Sequence, residues 1–274
     1  RLAAGAFLIA FGGPLSNLDA LDAFLAETDR QGIASDRLIC IGDVVGYGPE
    51  PEACIARLRE RAIATVLGNV EESIAADADD CGCNFIDGST CDTLSANWYR
   101  YTRGHVSKAS RDWMAALPRH ITRHLGAHRL LAVHGGITRI NRYIFASDDT
   151  ARAEEWTMPD APDAIIAGHC GIPFTRADGN RVWHNAGSLG LPANDGTPRV
   201  WYSRIALTRD GALRFEHCPL DYDHHRAAAK MRRAGLPEAY ARTLETGLWP
   251  DTAILPAMET AQTGLPLAPA ALTL

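Results

Sequence analysis

The stretch Leu8–Leu21, LIAFGGPLSNLDAL, decides how the rest of the chain is read. The apolar run Phe7 to Phe11 is long enough for a buried strand and too short for a helix. Gly12-Gly13-Pro14 breaks the run. Ser16 or Asn17 then offers a side-chain oxygen to cap a helix, on which Leu18, Leu21, Phe24 and Leu25 recur at helical spacing. Strand, tight turn and helix in that order open a βαβ unit. Such a junction often carries a reactive group in phosphate-handling α/β proteins, yet this turn holds no acid, histidine or cysteine.

The rhythm continues. Leu38–Ile41 reads as a second strand, followed by a helix carrying Cys54, Ile55 and Leu58, and Ile63–Leu67 as a third. Ser107 caps a predicted helix with Trp113, Met114 and Leu117. Leu130–Val133 and Ala164–Ala167 are short buried strands. Arg181–His184 and Arg199–Leu207 read as strands of a second sheet. Residues 221–247 read as two helices broken at Gly235-Leu236-Pro237. The expected organisation is one domain over residues 1–247 and a Pro- and Ala-rich C-terminal arm over 248–274.

Composition narrows the function. With 274 residues, 46% hydrophobic and 22% charged, the chain has room for a substantial core. A net charge of −6 with no basic stripe argues against a nucleic-acid partner. No apolar run approaches the roughly 20 residues that span a bilayer. The opening RLAAGAFLIAF resembles a signal-peptide core, but no small-residue cleavage pattern follows, so the expected location is the cytoplasm. Seven scattered cysteines do not form a secreted disulfide framework.

Four strands end alike, with an apolar run, then in three of them a glycine, then a polar residue: Asp43 after LICIG, Asn69 after ATVLG, His134 after LLAV and His169 after AIIAG. The carboxyl ends of strands line the ligand crevice of open α/β sheets. Oxygen and imidazole donors gathered there suit a hard-to-borderline metal. Each ending alone is also an ordinary turn or structural histidine. Together they point to a shared site.

The segments GDVVGYGPEPEACI, GN-x-E, VHGG, GHCGIPF, NAGSLGLP and DYDHHRAAAKMRRAGLPE resemble, in order and spacing, the calcineurin-like metallophosphoesterases, most of all their compact prokaryotic phosphodiesterase branch. The resemblance runs from Phe7 to Gly247. It implies an α/β fold, a four-layer αββα sandwich of two mixed β-sheets flanked by helices. It implies that Asp43, Asn69, His134 and His169 hold a divalent metal (Mn, Zn, Fe, Ni or Mg), with Asp43, Asn69 and His134 in the catalytic role. The family's second metal depends on residues this chain lacks. The second histidine of G-H-x-H falls on Gly171, and the histidine of G-N-H falls on Val70. The D-x-H-G-N element falls on the opening turn, with Leu15 at its histidine and Ser16 and Asn17 at its glycine and asparagine. One ion is therefore expected rather than two.

The expected function is a divergent metal-dependent phosphoesterase, a phosphodiesterase or phosphatase, acting on a small phosphorylated substrate. The alternative is a non-hydrolytic ligand-binding or regulatory protein that kept the fold and lost the dinuclear centre. No membrane partner is expected, and a homo-oligomer is left open.

Several groups near these gaps could replace the lost ligands. Glu71, Cys81, Cys83 and Cys91 follow Asn69, and Cys170 adjoins His169, so all five are candidate extra ligands. The C-x-C spacing equally fits reduced thiols or a Cys–Cys bridge. Gly12, Gly13, Ser16 and Asn17 are candidate anion binders, through N–H groups at a helix start, with Tyr47 beside them. Asn185 lies in a motif that borders the family's active site. Trp98-Tyr99 reads as core, with a place in the cleft wall as the alternative. His120, His124 and His128 read as part of a solvated hairpin, and His224 and His225 as a helix surface.

Overall fold

The structure, a computed structural model, describes residues 5–83, 85–157 and 160–274. Arg1–Ala4, at the start of the signal-like stretch, lies outside them.

The first half builds the parallel part of one sheet. β1 (Phe7–Phe11), α1 (Leu18–Arg30), β2 (Leu38–Cys40), α2 (Pro51–Glu60) and β3 (Ala64–Thr65) form the expected βαβαβ run. Asn17 is the cap of α1, its side chain accepting from the Ala20 N–H. β2 and β3 are shorter than the apolar runs that announce them. Burial sets those runs and outlasts the ladder: Ile41 and Val66 are fully buried beyond the strand ends. Three helices follow, α3 (Asn69–Ala75), α4 (Thr90–Gly104) and α5 (Lys108–Ala115), the last capped by Ser107 as expected.

The second half supplies β4 (His120–Leu125), β5 (His128–Val133), α6 (Asp149–Glu155), β6 (Ala164–Ala167), β7 (Phe174–Asp178), β8 (Arg181–Asn185), β9 (Val200–Leu207) and β10 (Leu213–Leu220). After them come α7 (His224–Arg233), α8 (Glu238–Thr246), α9 (Ala257–Thr260) and β11 (Leu272–Thr273). One sheet has the order β11-β10-β9-β1-β2-β3, the other β4-β5-β6-β8-β7. Both are mixed: β1-β2-β3 and β5-β6-β8 pair in parallel, and the flanking strands pair antiparallel.

The sheets stack through a period-two division of apolar side chains. Leu8, Ala10, Ile39 and Ile41 of one sheet meet Leu130, Ala132, Ala164 and Ile166 of the other. The alternate residues Ile9, Phe11, Leu38 and Cys40 pack on the helices of α1, α2, α4, α7 and α8. Leu131, Val133, Ile165 and Ala167 pack outward beneath α6 and the C-terminal segment. Strands buried on both faces read as continuous apolar runs, and this is why they were legible. The four-layer αββα sandwich is therefore the observed fold.

One assignment is corrected. Arg181–His184 and Arg199–Leu207 were expected to share a sheet, but β8 pairs with β6 and β7, and β9 with β1 and β10. The chain crosses between sheets after Asn185, where Leu189 and Gly190 donate to the carbonyls of Gly12 and Gly13. The segment after Gly247 lies against the sandwich: Leu255 is buried in the outer cluster of the second sheet, and β11 pairs with β10. His120 and His124 are exposed on the β4–β5 hairpin. Among the described residues no helix is long and apolar enough to cross a membrane.

Candidate metal centre

The carboxyl ends of β2, β3, β5 and β6 meet along one edge of the two sheets. They deliver Asp43, Asn69, His134 and His169 to one point. His134 Nδ1 lies 2.7 Å from the Ile41 carbonyl. A carbonyl only accepts, so Nδ1 carries the hydrogen and Nε2 is turned toward the cluster. Around Nε2 stand Asn69 Oδ1 at 2.9 Å, Asp43 Oδ2 at 3.2 Å and His169 Nδ1 at 3.2 Å. The Asp43, His134 and His169 donor atoms lie within 4.8 Å of one another.

So many lone pairs facing one another in a buried place call for a positive charge. Among the described residues, Asp43 Oδ1 and His169 Nε2 are also buried without a hydrogen-bond partner. The donor set, one carboxylate, one amide oxygen and two imidazoles, is of the kind that holds a divalent cation. A proton can supply part of that charge. Burial opposes charge on both Asp43 and His134, but each stabilises the other's charged form. Asp43 is held below the usual carboxylate range and His134 above the usual imidazole range. Burial, then the His134 charge, pushes His169 down to about 3.

The backbone at this edge is strained. Leu15, Ser16, Asp43, Tyr47 and His169 have φ of 51°, 57°, 51°, 51° and 62°. Left-handed non-glycine residues are costly and cluster where geometry matters. Two glycines make room for the convergence. A Cβ on Gly42 would lie 2.8 Å from His134 Nδ1, and one on Gly68 would lie 2.4 Å from the Asp43 backbone nitrogen. The glycines of G-D and G-N thus serve close approach.

Glu71, expected as an extra ligand, does something else. Its Oε2 accepts from the Asp43 N–H at 2.8 Å and the Gly68 N–H at 3.1 Å, and its Oε1 from the Val45 N–H at 3.1 Å. Both oxygens are taken, so Glu71 fixes the loop that carries Asp43. Burial, then the nearby Asp43 charge, pushes its carboxyl up to about 7, against the pull of the N–H donors.

The cysteines do not join the donor cluster either. Cys81 and Cys83 are bonded to each other as a disulfide and have no thiolate to offer. Asn69 Nδ2 donates to the Cys81 carbonyl at 3.0 Å, which leaves Oδ1 facing His134. Cys91 stands in the cavity wall, where burial pushes its thiol up. Cys170 accepts from Asn185 Nδ2 at 3.2 Å, and burial pushes its thiol up to about 12. Asn185 also donates to the Gly168 carbonyl at 2.7 Å and so fixes the residue before His169.

The opening turn is also revised. Leu15 and Ser16 donate their N–H groups to the carbonyls of Asp43 and Val44, and Asn17 donates to that of Pro14. Those three groups are spent on the protein, so they cannot form an anion nest. Ser16 Oγ accepts from the Gly46 N–H, and Asn17 Nδ2 donates to the Gly190 carbonyl and to Tyr222. Gly12 is pressed against the Gly187 carbonyl. Of the candidate anion binders only Gly13 and Tyr47 border the cavity beside Asp43.

That cavity, about 80 Å³, opens over Asp43 and His169 and has walls that the sequence does not announce: Phe85, Tyr143, Tyr240, Trp249 and Ile254. Tyr240 recurs with Leu244 at helical spacing and reads as core; the others sit in irregular segments without a periodic signal. Trp98 is fully buried and stacks on Tyr47 from behind, with ring centroids 4.5 Å apart.

A sandwich of two mixed sheets that gathers a carboxylate, an amide and two imidazoles at its shared edge defines a class of α/β proteins with a metal-type centre. Residues 16–206 match the calcineurin-like phosphoesterase superfamily domain, and the chain belongs to that family. An uncharacterized protein of Methanocaldococcus jannaschii is 25% identical over 254 residues, covering 85% of this chain and 94% of that one. The fold is shared with a metallophosphoesterase from Sphaerobacter thermophilus, at TM-score 0.69 and 22% identity over 89% of this chain and 100% of that one. It is shared too with a hypothetical protein from Pyrococcus horikoshii, at TM-score 0.74 and 17% identity over 89% and 99%.

Proposed function

We propose that the protein is a metal-dependent phosphoesterase working with a single divalent cation held by Asp43, Asn69, His134 and His169. The convergence of lone pairs on His134 Nε2, whose orientation is fixed through Nδ1 and the Ile41 carbonyl, carries this reading. When bound, such an ion supplies a polarised phosphoryl oxygen and a water of lowered pKa. The substrate is a small phosphate ester bound in the cavity over Asp43 and His169.

The chain's own residues set the rest. Glu71 and the Ile41 carbonyl hold Asp43 and His134 in place. The aromatic walls keep bulk water from the reacting phosphorus. Two observations support one ion rather than two. Position 171 is a glycine with φ 74°, where an added Cβ would lie 3.2 Å from the Trp249 ring. Leu15, at the position of the family's other lost histidine, offers no donor atom. Val70, at the position of the family's leaving-group histidine, is fully buried in the apolar core. The leaving oxygen therefore departs with little help from a protein acid, and esters with good leaving groups turn over fastest.

Hydrolysis of bis-p-nitrophenyl phosphate with Mn²⁺ tests this reading. Turnover that vanishes in His134→Ala is expected. No turnover with any divalent metal would overturn it and favour the second reading, a ligand-binding protein on the same fold. The missing donors at Leu15, Val70 and Gly171 give that alternative its standing.

A further inference from the structure

The cavity wall is unusual for a place that receives a phosphate. Among the described residues its lining contains no lysine and no arginine. Among the described lining residues Asp43 is the one carboxylate and His169 the one imidazole; the remaining polar groups are phenols, thiols, Ser188, Thr243 and the Trp249 indole. The phenols of Tyr47, Tyr143 and Tyr240 bring hydroxyl groups to this wall. A doubly charged phosphate monoester placed here would meet one bound cation and no other positive side chain among the described residues, at a large desolvation cost. A singly charged diester loses less solvation on entry.

The aromatic wall is held in place. Trp249 donates its indole N–H to the Pro192 carbonyl at 2.7 Å and its backbone N–H to Asn194 Oδ1 at 2.8 Å. Its ring borders the open side of Gly171. Tyr143 stacks on His169 with centroids 4.3 Å apart, and Tyr47 meets the edge of Tyr240 at 4.9 Å. Among the described residues Tyr240 Oη is buried in the cavity wall beside the Cys91 thiol and the Trp98 indole, and makes no hydrogen bond of ordinary length to either. Rings fixed from behind form a preformed surface for a flat group, and an unpaired hydroxyl needs an acceptor brought by a ligand.

We infer that the cavity selects singly charged phosphodiesters bearing a flat aromatic substituent, with Trp249 as the specificity-determining contact and Tyr240 Oη donating to the bound ester. The inference rests on the proposed function for where the phosphate sits, and it concerns which ester binds there.

Calorimetric titration of the Mn²⁺-loaded protein with three probes that carry no activated leaving group tests it. Diphenyl phosphate has one charge and two rings, dimethyl phosphate has one charge and no ring, and phenyl phosphate is a dianion at pH 8. Diphenyl phosphate binds at least about tenfold more tightly than either of the others. Trp249→Ala removes most of its advantage over dimethyl phosphate, and Trp249→Phe retains it. Tyr240→Phe weakens both diesters severalfold without changing their ratio. Equal binding of the two diesters by the unaltered protein overturns the inference, as does tighter binding of phenyl phosphate. Where a variant fails to fold, the three probes on the unaltered protein still support or overturn it. Aryl-selective binding with no turnover of bis-p-nitrophenyl phosphate leaves this inference standing and removes the hydrolytic reading. Turnover without aryl selectivity does the reverse.

Discussion

Two pairs of histidines, each with one buried and one half-buried member, sit in the same sandwich among different neighbours. His134 and His169 meet at the polar edge, with ring centroids 5.0 Å apart and planes crossed at 65°. His184 of β8 and His217 of β10 stack between the sheets, 4.5 Å apart and nearly parallel at 16°. The Thr175 hydroxyl stands between the second pair, 2.8 Å from His184 Nδ1 and 3.0 Å from His217 Nε2, and Ser203 Oγ lies 3.2 Å from His217 Nδ1. Hydroxyls can donate and accept, so they pair with neutral imidazoles, and within this pair His184 Nε2 alone is buried without a partner among the described residues. At the edge the partners of His134 Nε2 are a carboxylate, an amide oxygen and another imidazole nitrogen, and a neutral imidazole cannot satisfy them all. The difference lies in the neighbours. Two close histidines joined by a carboxylate form a donor set suited to a cation, and joined by hydroxyls they form a polar rivet between sheets.

The sharpest way to break this contrast is to delete one histidine from each pair. His134→Ala removes the residue on which all the edge donors converge. Phosphodiester turnover falls ~100-fold or more, since even outer partners of a metal ligand commonly matter by 10–100-fold. Steady-state kinetics with bis-p-nitrophenyl phosphate checks this. His217→Gln keeps turnover within about twofold, because nothing in the second pair reaches the cavity. Comparable losses in both variants would end the distinction.

Glu71→Gln gives a middle-sized effect. The amide puts an N–H₂ where a carboxylate oxygen now accepts a backbone N–H, and leaves at least one donor near Asp43 unpaired. The expected cost is about 1–3 kcal/mol in chemical denaturation, together with weaker Mn²⁺ binding. If Glu71 were a direct ligand and not a brace, metal affinity would fall with folding stability unchanged.

The smallest effect is on pH dependence. Burial, then the His184–His217 proximity, pushes His184 well down, and burial pushes His217 down to about 4. In the unfolded chain both return to about 6.5. Above that pH both states are neutral and the pair has no pH effect. As pH falls from about 6.5 toward 4 the unfolded state takes up protons that the folded state refuses. Stability therefore drops, by at most about 1.4 kcal/mol per pH unit for each histidine. His217→Gln flattens that part of the profile in urea titrations of the metal-loaded protein. An unchanged slope would mean the pair is protonated in the fold.

The strand ends were legible because they obey a local rule. An apolar run buried on both faces stops where a polar residue emerges at the sheet edge, so Asp43, Asn69, His134 and His169 could be marked one at a time and their meeting inferred from topology. The cavity walls obey no such rule. Tyr143 and Trp249 reach the site from segments without regular structure, and Tyr240 looks like one more apolar position on α8. Glu71 illustrates a different gap. Its residue type and place suggested a ligand, while its role is set by three backbone N–H groups that exist only once the loops around Gly42 and Gly68 have closed. The turn at Gly12–Asn17 carries a helix-start signal that is correct, but whether its N–H groups remain free depends on the loops at 43–44 and 187–190, distant in sequence.

The most direct test of the single-ion account is metal analysis of the protein loaded with Mn²⁺ and freed of excess, read beside the His134→Ala variant. The account predicts one ion per chain, and much less than one in the variant. Two ions per chain, or one that persists without His134, would contradict it.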